Sequence, residues 1–350
     1  MRKCIYCILI TMLTIGSCYV GRHNKYVPRS AKKREKYATP EQGTYLKPVA
    51  YSILKKINQA IEEPDSFKKP SNWMMNMFTT RQEKVIDTLL QYSDSEVPVR
   101  IYYPSKNSLS GNHPVILFFH GGGFILGSVD EYHMMVSKLA RVTDNIVVAV
   151  EYRLAPEHPF PSGIMDCFAV LQWIQENGSG IGGDTARISL MGDSAGGNIA
   201  TVLTLLCRDN YLPQPTCQVL LYPGVTFVDT LYPSRTHFGQ CSEMNYVLNE
   251  SFLRKVKSQY MGDESNDRHP YLSPLEAKLT SDLPPTLIIL AECDPLRDGG
   301  RLYAQKLKEA GVPVKDVEYS GMIHGFMSFH MILNDALNAM KVIRDYLEIN

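Results

Sequence analysis

One serine lies in a setting that makes its side-chain hydroxyl a candidate nucleophile. The segment GDSAG at residues 192–196 follows an apolar run at 187–191 and opens a helical pattern. A G-x-S-x-G turn between a strand and a helix exposes the serine Oγ at the carboxyl end of a sheet, where ligands bind. The amide of Ala195 then lies at a helix N-terminus and can bind a developing oxyanion. Outside this setting, the same five letters would be an ordinary glycine-rich turn.

A second glycine-rich segment, HGGGF at residues 120–124, follows the all-apolar run at 115–119. Consecutive glycines let a backbone turn its N–H groups toward a ligand at close range. Alone, the segment fits a flexible loop or a phosphate nest equally well. Together with the serine turn, it predicts a loop that supplies amides to an oxyanion.

A nucleophilic serine needs a base, and the base needs an acid that orients it. Asp294 and His324 each follow the end of a predicted strand, at the sheet edge that carries the serine. His330 falls inside the predicted next helix. Glu292 and Asp298 are rival acids, and Asp298 is predicted to cap the helix that begins there.

The elements that position these residues alternate along the chain. Strands are predicted at 85–92, 97–103, 115–119, 146–151, 187–191, 217–222, 286–291 and 314–319. Helices are predicted at 48–84, 162–177, 195–208, 298–310 and 328–347. The first two strands are close enough to form a hairpin, and the later alternation predicts a mostly parallel sheet with helices on both faces. Residues 225–275 interrupt the pattern and are predicted to form an insertion above the sheet.

Composition excludes several classes of protein. The 350 residues carry 36 basic and 36 acidic side chains, so the formal net charge is zero and nothing favours nucleic-acid binding. The length suits one large α/β domain or two ordinary ones. Cys167, Cys207 and Cys217 lie among apolar residues and are predicted to be buried thiols. No paired C-x-x-C or H-E-x-x-H argues for a metal.

The N-terminal segment is typical of an exported protein. A basic start precedes an uncharged run at residues 4–20, which is short for a membrane span and predicts a signal peptide over residues 1–20. Residues 15–18, IGSC, also resemble a lipobox that would lipidate Cys18; a simple cleaved signal and an uncleaved anchor stay open. Residues 21–47 form a basic linker, with seven basic residues and one acid over 22–36. Because such charge opposes export, a cytoplasmic location is the alternative.

Taken together, the motifs resemble those of the hormone-sensitive-lipase-like group of α/β-hydrolases, the bacterial family IV esterases. The resemblance runs from about residue 85 to 345, with order and spacing in agreement throughout. It rests on six segments: HGGGF at 120–124, YRLAPEHPFP at 152–161, GDSAGGN at 192–198, SPL at 273–275, DPLRDGG at 294–300 and GMIHGF at 321–326. The leader and the basic linker are not standard in the group.

The resemblance implies an α/β-hydrolase fold, with a mostly parallel eight-stranded sheet, helices on both faces and a helical cap. The hydrolase domain is expected over residues 48–350, with its cap from 48–84 and about 225–265. Trp73 and Phe124 are expected to line the substrate pocket, although Trp73 with its neighbouring methionines equally fits a packing role. The resemblance also implies a catalytic set: Ser194 as nucleophile, His324 as base, Asp294 as orienting acid, and the amides of Gly122, Gly123 and Ala195 as the oxyanion hole.

The expected function is a serine carboxylic ester hydrolase that acts on short to medium acyl esters through an acyl-enzyme intermediate. Members of the group usually need no metal or cofactor, so a small-molecule ester is the expected partner. Hydrolysis of an amide, such as an arylacetamide, is the alternative with the same machinery. A non-catalytic binding protein on this fold is a poorer alternative, because His324 and its loop are present. Membrane attachment through the N-terminus and the oligomeric state, monomer or homodimer, are left open.

Overall fold

A computed structural model of the chain describes residues 45–62, 84–104, 112–229, 232–239, 247–262, 264 and 266–350. Within these ranges eight strands form one sheet. They are β1 (Val85–Tyr92), β2 (Ser95–Tyr102), β3 (His113–Phe119), β4 (Ile146–Val150), β5 (Gly183–Asp193), β6 (Cys217–Leu221), β7 (Thr286–Cys293) and β8 (Val314–Ile323). The described α-helices are α1 (Pro48–Glu62), α2 (Val129–Thr143), α3 (Ser162–Asn177), α4 (Ala195–Asp209), α5 (Glu250–Met261), α6 (Arg297–Glu309) and α7 (Asn334–Leu347).

The sheet is mostly parallel, as the alternation of elements predicts. Its order is β1-β2-β4-β3-β5-β6-β7-β8. The hairpin of β1 and β2 is antiparallel, β2 is antiparallel to β4, and every other neighbouring pair is parallel. The carboxyl ends of β3, β5, β7 and β8 therefore share one edge, and the predicted chemical groups follow these ends.

Burial on both faces explains the continuous apolar runs of the central strands. All five residues of β4 and all five of β6 are buried, as expected for a parallel sheet covered on both sides. Helices α3, α4 and α6 contribute apolar side chains to the core on one face. Helices α1, α2 and α7 do so on the other face. Cys167, Cys207 and Cys217 are buried free thiols, which confirms that prediction.

Helix α2 is absent from the predicted elements, although its start carries a local signal. The Ser128 side chain accepts a hydrogen bond from the Glu131 amide at 3.3 Å, an N-cap bond at the first turn. The prediction that His330 lies inside a helix is wrong. Phe326–Phe329 form a short 3-10 turn that ends at His330, and α7 begins only at Asn334.

The described body includes the end of the basic segment. Leu46 is fully buried in the core, and the Lys47 Nζ pairs with Asp335 at 2.5 Å. The Lys47 amide donates to the Gly321 carbonyl at 3.2 Å, close to the loop that carries the candidate base. Among the described helices, none has the length and apolar character that crossing a membrane requires. The leader, Cys18 and Trp73 lie outside the described residues, so the expectations for them stay predictions.

Candidate active site

The turn between β5 and α4 holds Ser194 in a strained backbone conformation. Its φ is 55° and its ψ is −115°, a combination that non-glycine residues rarely adopt. The two flanking glycines permit the turn by lacking side chains. A Cβ on Gly192 would lie 2.2 Å from the Gly196 carbonyl oxygen, and a Cβ on Gly196 would lie 1.9 Å from the Phe119 carbonyl oxygen. The Ser194 amide donates to the Leu221 carbonyl at 2.8 Å, which ties the turn to β6.

The three residues predicted to cooperate lie in one hydrogen-bonded chain. The Ser194 Oγ is 2.9 Å from the His324 Nε2, and the His324 Nδ1 is 2.7 Å from the Asp294 Oδ2. The Asp294 Oδ1 accepts a hydrogen bond from the Leu296 amide at 2.8 Å, so both carboxylate oxygens have donors. Asp294 is fully buried, and the ring of Tyr222 packs edge-on against the imidazole at 4.9 Å. In this geometry the imidazole can take a proton from the serine while the carboxylate fixes its orientation.

The two rival acids point elsewhere. The Glu292 Oε2 accepts a hydrogen bond from the Gly321 amide at 2.8 Å, so this carboxylate braces the strand that leads to the His324 loop. Asp298 accepts from the Ser234 amide at 2.9 Å and pairs with Arg297. The prediction that Asp298 caps the helix is wrong: the N-cap is Leu296, with no side-chain cap bond, and α6 begins at Arg297.

Three backbone amides belong to residues that line the same cavity as Ser194. Gly122 and Gly123 have φ values of +118° and +63°, which glycine adopts without strain. Ala195 is the first residue of α4, so its amide carries the positive end of the helix dipole. None of these three amides donates a hydrogen bond to another residue that the structure describes. They are available to a ligand oxygen next to the Ser194 Oγ, and all three residues line the same cavity.

Two buried titratable groups flank this loop. Burial lowers the pKa of His120 to about 4, so its ring is neutral at neutral pH. Its Nδ1 then carries the proton and donates to the Gly121 carbonyl at 2.8 Å. Burial raises the pKa of Asp193 to about 6, against hydrogen bonds from Tyr132 and Gly121 and the nearby His324 that lower it.

A cavity of about 290 Å³ opens above Ser194. Its wall is mainly apolar and comes from the glycine loop, from α1 and α5, from Leu296 just before α6, and from the segment after β6. Phe124, predicted to contact substrate, lines the cavity and stacks on Tyr260 with ring centroids 3.8 Å apart. The cavity also has lining residues that were not predicted from the sequence: Ile57, Phe227, Phe252, Val256, Leu296 and the charged Asp229, Arg235 and Lys257.

Helix α5 brings several of these lining residues to the loop. A Cβ on Gly123 would lie 2.6 Å from a Val256 methyl, so the helix rests directly on the candidate oxyanion amides. The helix lies in the predicted insertion, and its start carries a local signal: the Asn249 side chain accepts from the Phe252 amide at 2.8 Å. The Asn249 N-cap indicates that a helix begins here, but it does not indicate which part of the protein the helix packs against. Within the ranges that the structure describes, no cluster of His, Cys, Asp and Glu could hold a metal ion.

The sheet is mostly parallel, the turn between β5 and α4 carries a serine, and an acid and a histidine follow the ends of later strands. This arrangement defines an α/β-hydrolase. A family model described as alpha/beta hydrolase fold matches residues 116–328, and the chain belongs to this family. The resemblance to its hormone-sensitive-lipase-like members is confirmed.

The chain is similar to curated esterases over most of its length. It is 39% identical to the carboxylesterase NlhH of Mycobacterium tuberculosis, across 70% of this chain and 76% of the relative. It is 36% identical to an arylesterase of Saccharolobus solfataricus, across 69% of this chain and 76% of the relative. A solved hyperthermophilic esterase from the archaeon Pyrobaculum calidifontis superposes with a TM-score of 0.78 at 34% identity, covering 86% of this chain and 97% of its own.

Proposed function

We propose that this protein is a serine carboxylic ester hydrolase that acts through an acyl-enzyme intermediate. The observation that carries the proposal is the chain from Ser194 through His324 to Asp294, next to three amides without protein acceptors. The carboxylesterase and arylesterase names of the relatives support the same reaction class.

In the proposed reaction, His324 takes the proton of the Ser194 hydroxyl as the Oγ attacks the ester carbonyl carbon. The amides of Gly122, Gly123 and Ala195 receive the negative oxygen of the tetrahedral intermediate. The imidazolium then gives its proton to the departing alcohol, which leaves an acyl-serine. Water repeats the attack with the same base, and the carboxylic acid is released with Ser194 restored.

The size and lining of the cavity support short to medium acyl chains. A volume of about 290 Å³ is at the small end for ligand pockets. Each buried methylene can contribute about 0.8 kcal/mol, so binding should improve with chain length while the wall stays apolar. The paired charges of Asp229, Arg235 and Lys257 also line the cavity, and charged groups do not stabilise further methylenes.

A panel of p-nitrophenyl esters from acetate to palmitate, with p-nitroacetanilide as the amide control, tests this proposal. We expect kcat/KM to rise from acetate toward a short or medium chain and then to fall, with far slower turnover of the anilide. Faster hydrolysis of the anilide would favour the amide alternative. Strong activity on emulsified long-chain triglyceride would contradict the short-acyl preference.

A further inference from the structure

The first amide of the glycine loop faces the protein interior rather than the cavity. The Gly121 N–H donates to the Asp193 Oδ1 at 2.7 Å and is shared with the Tyr132 phenol oxygen at 3.1 Å. The Tyr132 hydroxyl donates to the other carboxylate oxygen, Oδ2, at 2.9 Å. Asp193 and Tyr132 are 2% and 3% exposed. An amide, a carboxylate and a phenol thus form a closed buried triangle.

This triangle joins three elements that meet at the site. Gly121 belongs to the loop after β3, Asp193 is the residue before Ser194 at the end of β5, and Tyr132 is in the first turns of α2. The fit is tight, because a Cβ on Gly121 would lie 2.7 Å from the Asp193 Oδ2 and 2.8 Å from the Tyr132 oxygen. Only glycine fits at position 121, and the hydrogen bonds hold its peptide against the turn that carries Ser194.

The other face of the loop is held as firmly. The neutral His120 ring donates to the Gly121 carbonyl at 2.8 Å and stacks on Tyr152, with ring centroids 4.3 Å apart. The Tyr152 hydroxyl donates to the His120 carbonyl at 2.7 Å. Both the N–H and the C=O of Gly121 are engaged, so the peptide that follows has a fixed orientation. That peptide carries the amide of Gly122, one of the donors available to an oxyanion.

We propose that Tyr132 and Asp193 are positioning residues, whose side chains hold the oxyanion amides in place through the Gly121 amide. This inference rests on the proposed esterase function. Donors that are fixed before the reaction stabilise the oxyanion without reorganising, and this benefit exists only when the charge has formed. Loss of the triangle therefore lowers kcat and leaves the substrate's ground-state binding unchanged.

The matched control is a second Tyr–Asp hydrogen bond at the far end of the nucleophile helix. The Tyr271 hydroxyl donates to the Asp209 Oδ2 at 2.7 Å, and Asp209 is the last residue of α4. Tyr271→Phe removes the same type of bond as Tyr132→Phe, from a site that does not line the cavity. The Tyr271 bond is exposed whereas the Tyr132 bond is buried, so this variant shows what the loss of a phenol hydrogen bond away from the site does to turnover.

The test measures kcat and KM for p-nitrophenyl butyrate in the wild-type protein, Tyr132→Phe, Asp193→Asn and Tyr271→Phe. Active sites are counted by titration to completion with a fluorophosphonate, so that kcat refers to folded sites. We expect kcat per site to fall about 10-fold or more in the first two variants, since one lost oxyanion donor costs about 100-fold. KM should stay within about 3-fold, and Tyr271→Phe should match the wild type.

A transition-state analogue gives a second readout. The inhibition constant of a trifluoromethyl ketone, which forms a tetrahedral adduct with the serine, should rise in parallel with the loss of kcat/KM. Wild-type kcat per site in both Tyr132→Phe and Asp193→Asn, or a raised KM at unchanged kcat, would overturn the inference. Those results leave the esterase proposal intact, whereas an inactive wild-type protein would overturn the proposed function itself.

Discussion

At the residue scale, two buried carboxylates lie one residue apart at the end of β7, and the carboxylate of Asp294 is the one bonded to His324. We predict that Asp294→Asn lowers kcat by about 10⁴-fold, as the same change does in a serine protease triad, because the amide cannot orient the imidazole. The matched change Glu292→Gln should keep kcat within about 3-fold. Steady-state kinetics on p-nitrophenyl butyrate measure both effects. An inactive Glu292→Gln together with an active Asp294→Asn would show that Glu292, not Asp294, is the acid that orients His324.

Asp193 couples stability to pH. Burial raises its pKa from 3.8 to about 6, so between these values the folded protein holds a proton that the unfolded chain has released. Its contribution to stability is full below about pH 4 and is lost as the pH rises through about 6. A shift of this size corresponds to about 3 kcal/mol.

We therefore predict that Asp193→Asn gains stability relative to the wild type as the pH rises. The difference in the free energy of unfolding between the two proteins, measured by urea denaturation at several pH values, should change by about 3 kcal/mol between pH 4 and 7. A difference that is constant across this range would contradict the titration of Asp193. Asp193→Asn should also lose turnover. The ionised Asp193 carboxylate therefore lowers the stability of the fold while it holds the glycine loop in place.

At the element scale, the sequence predicts the sheet well, and it leads to three side chains, those of Ser194, His324 and Asp294, that the structure joins by hydrogen bonds. Both results depend on local pattern. Continuous apolar runs identify the buried strands, and each motif follows a strand end. Phe124 was expected at the cavity, but most of the other lining side chains were not predicted one by one. Phe227 and Val256, for example, reach the cavity through contacts between segments distant in sequence. The error at Asp298 has the same origin: its partner, Ser234, lies 64 positions earlier.

The start of α4 lies very close to the end of β3 at Gly196, and a substitution there tests this contact. We predict that Gly196→Ala destabilises the protein by about 3 kcal/mol or more, because the new methyl meets the Phe119 carbonyl, which cannot move without the sheet. The matched change is Gly180→Ala, where a Cβ has no neighbour within 4 Å. Thermal melts should show a large loss for the first variant and little for the second. Equal melting temperatures would contradict the close approach.

At the scale of the whole molecule, residues just before α1 pack against the rest of the described domain. Leu46 is fully buried, and Lys47 contacts both Gly321 and Asp335. We predict that removing residues 1–44 leaves both stability and the chain-length profile unchanged. Removing residues 1–47 should cost about 2 kcal/mol or more, the value of burying one leucine. Urea denaturation of the two truncated proteins checks this, and equal stabilities would show that residues 45–47 do not contribute to the fold.

A single substitution tests whether Ser194 is the nucleophile of an ester hydrolase. Wild-type protein and Ser194→Ala are assayed on p-nitrophenyl butyrate, and the folded state of each is verified by circular dichroism. We expect turnover by the wild type and a loss of about 10⁶-fold in the variant, the cost of removing a triad serine. Near-wild-type turnover by a folded Ser194→Ala protein would contradict it.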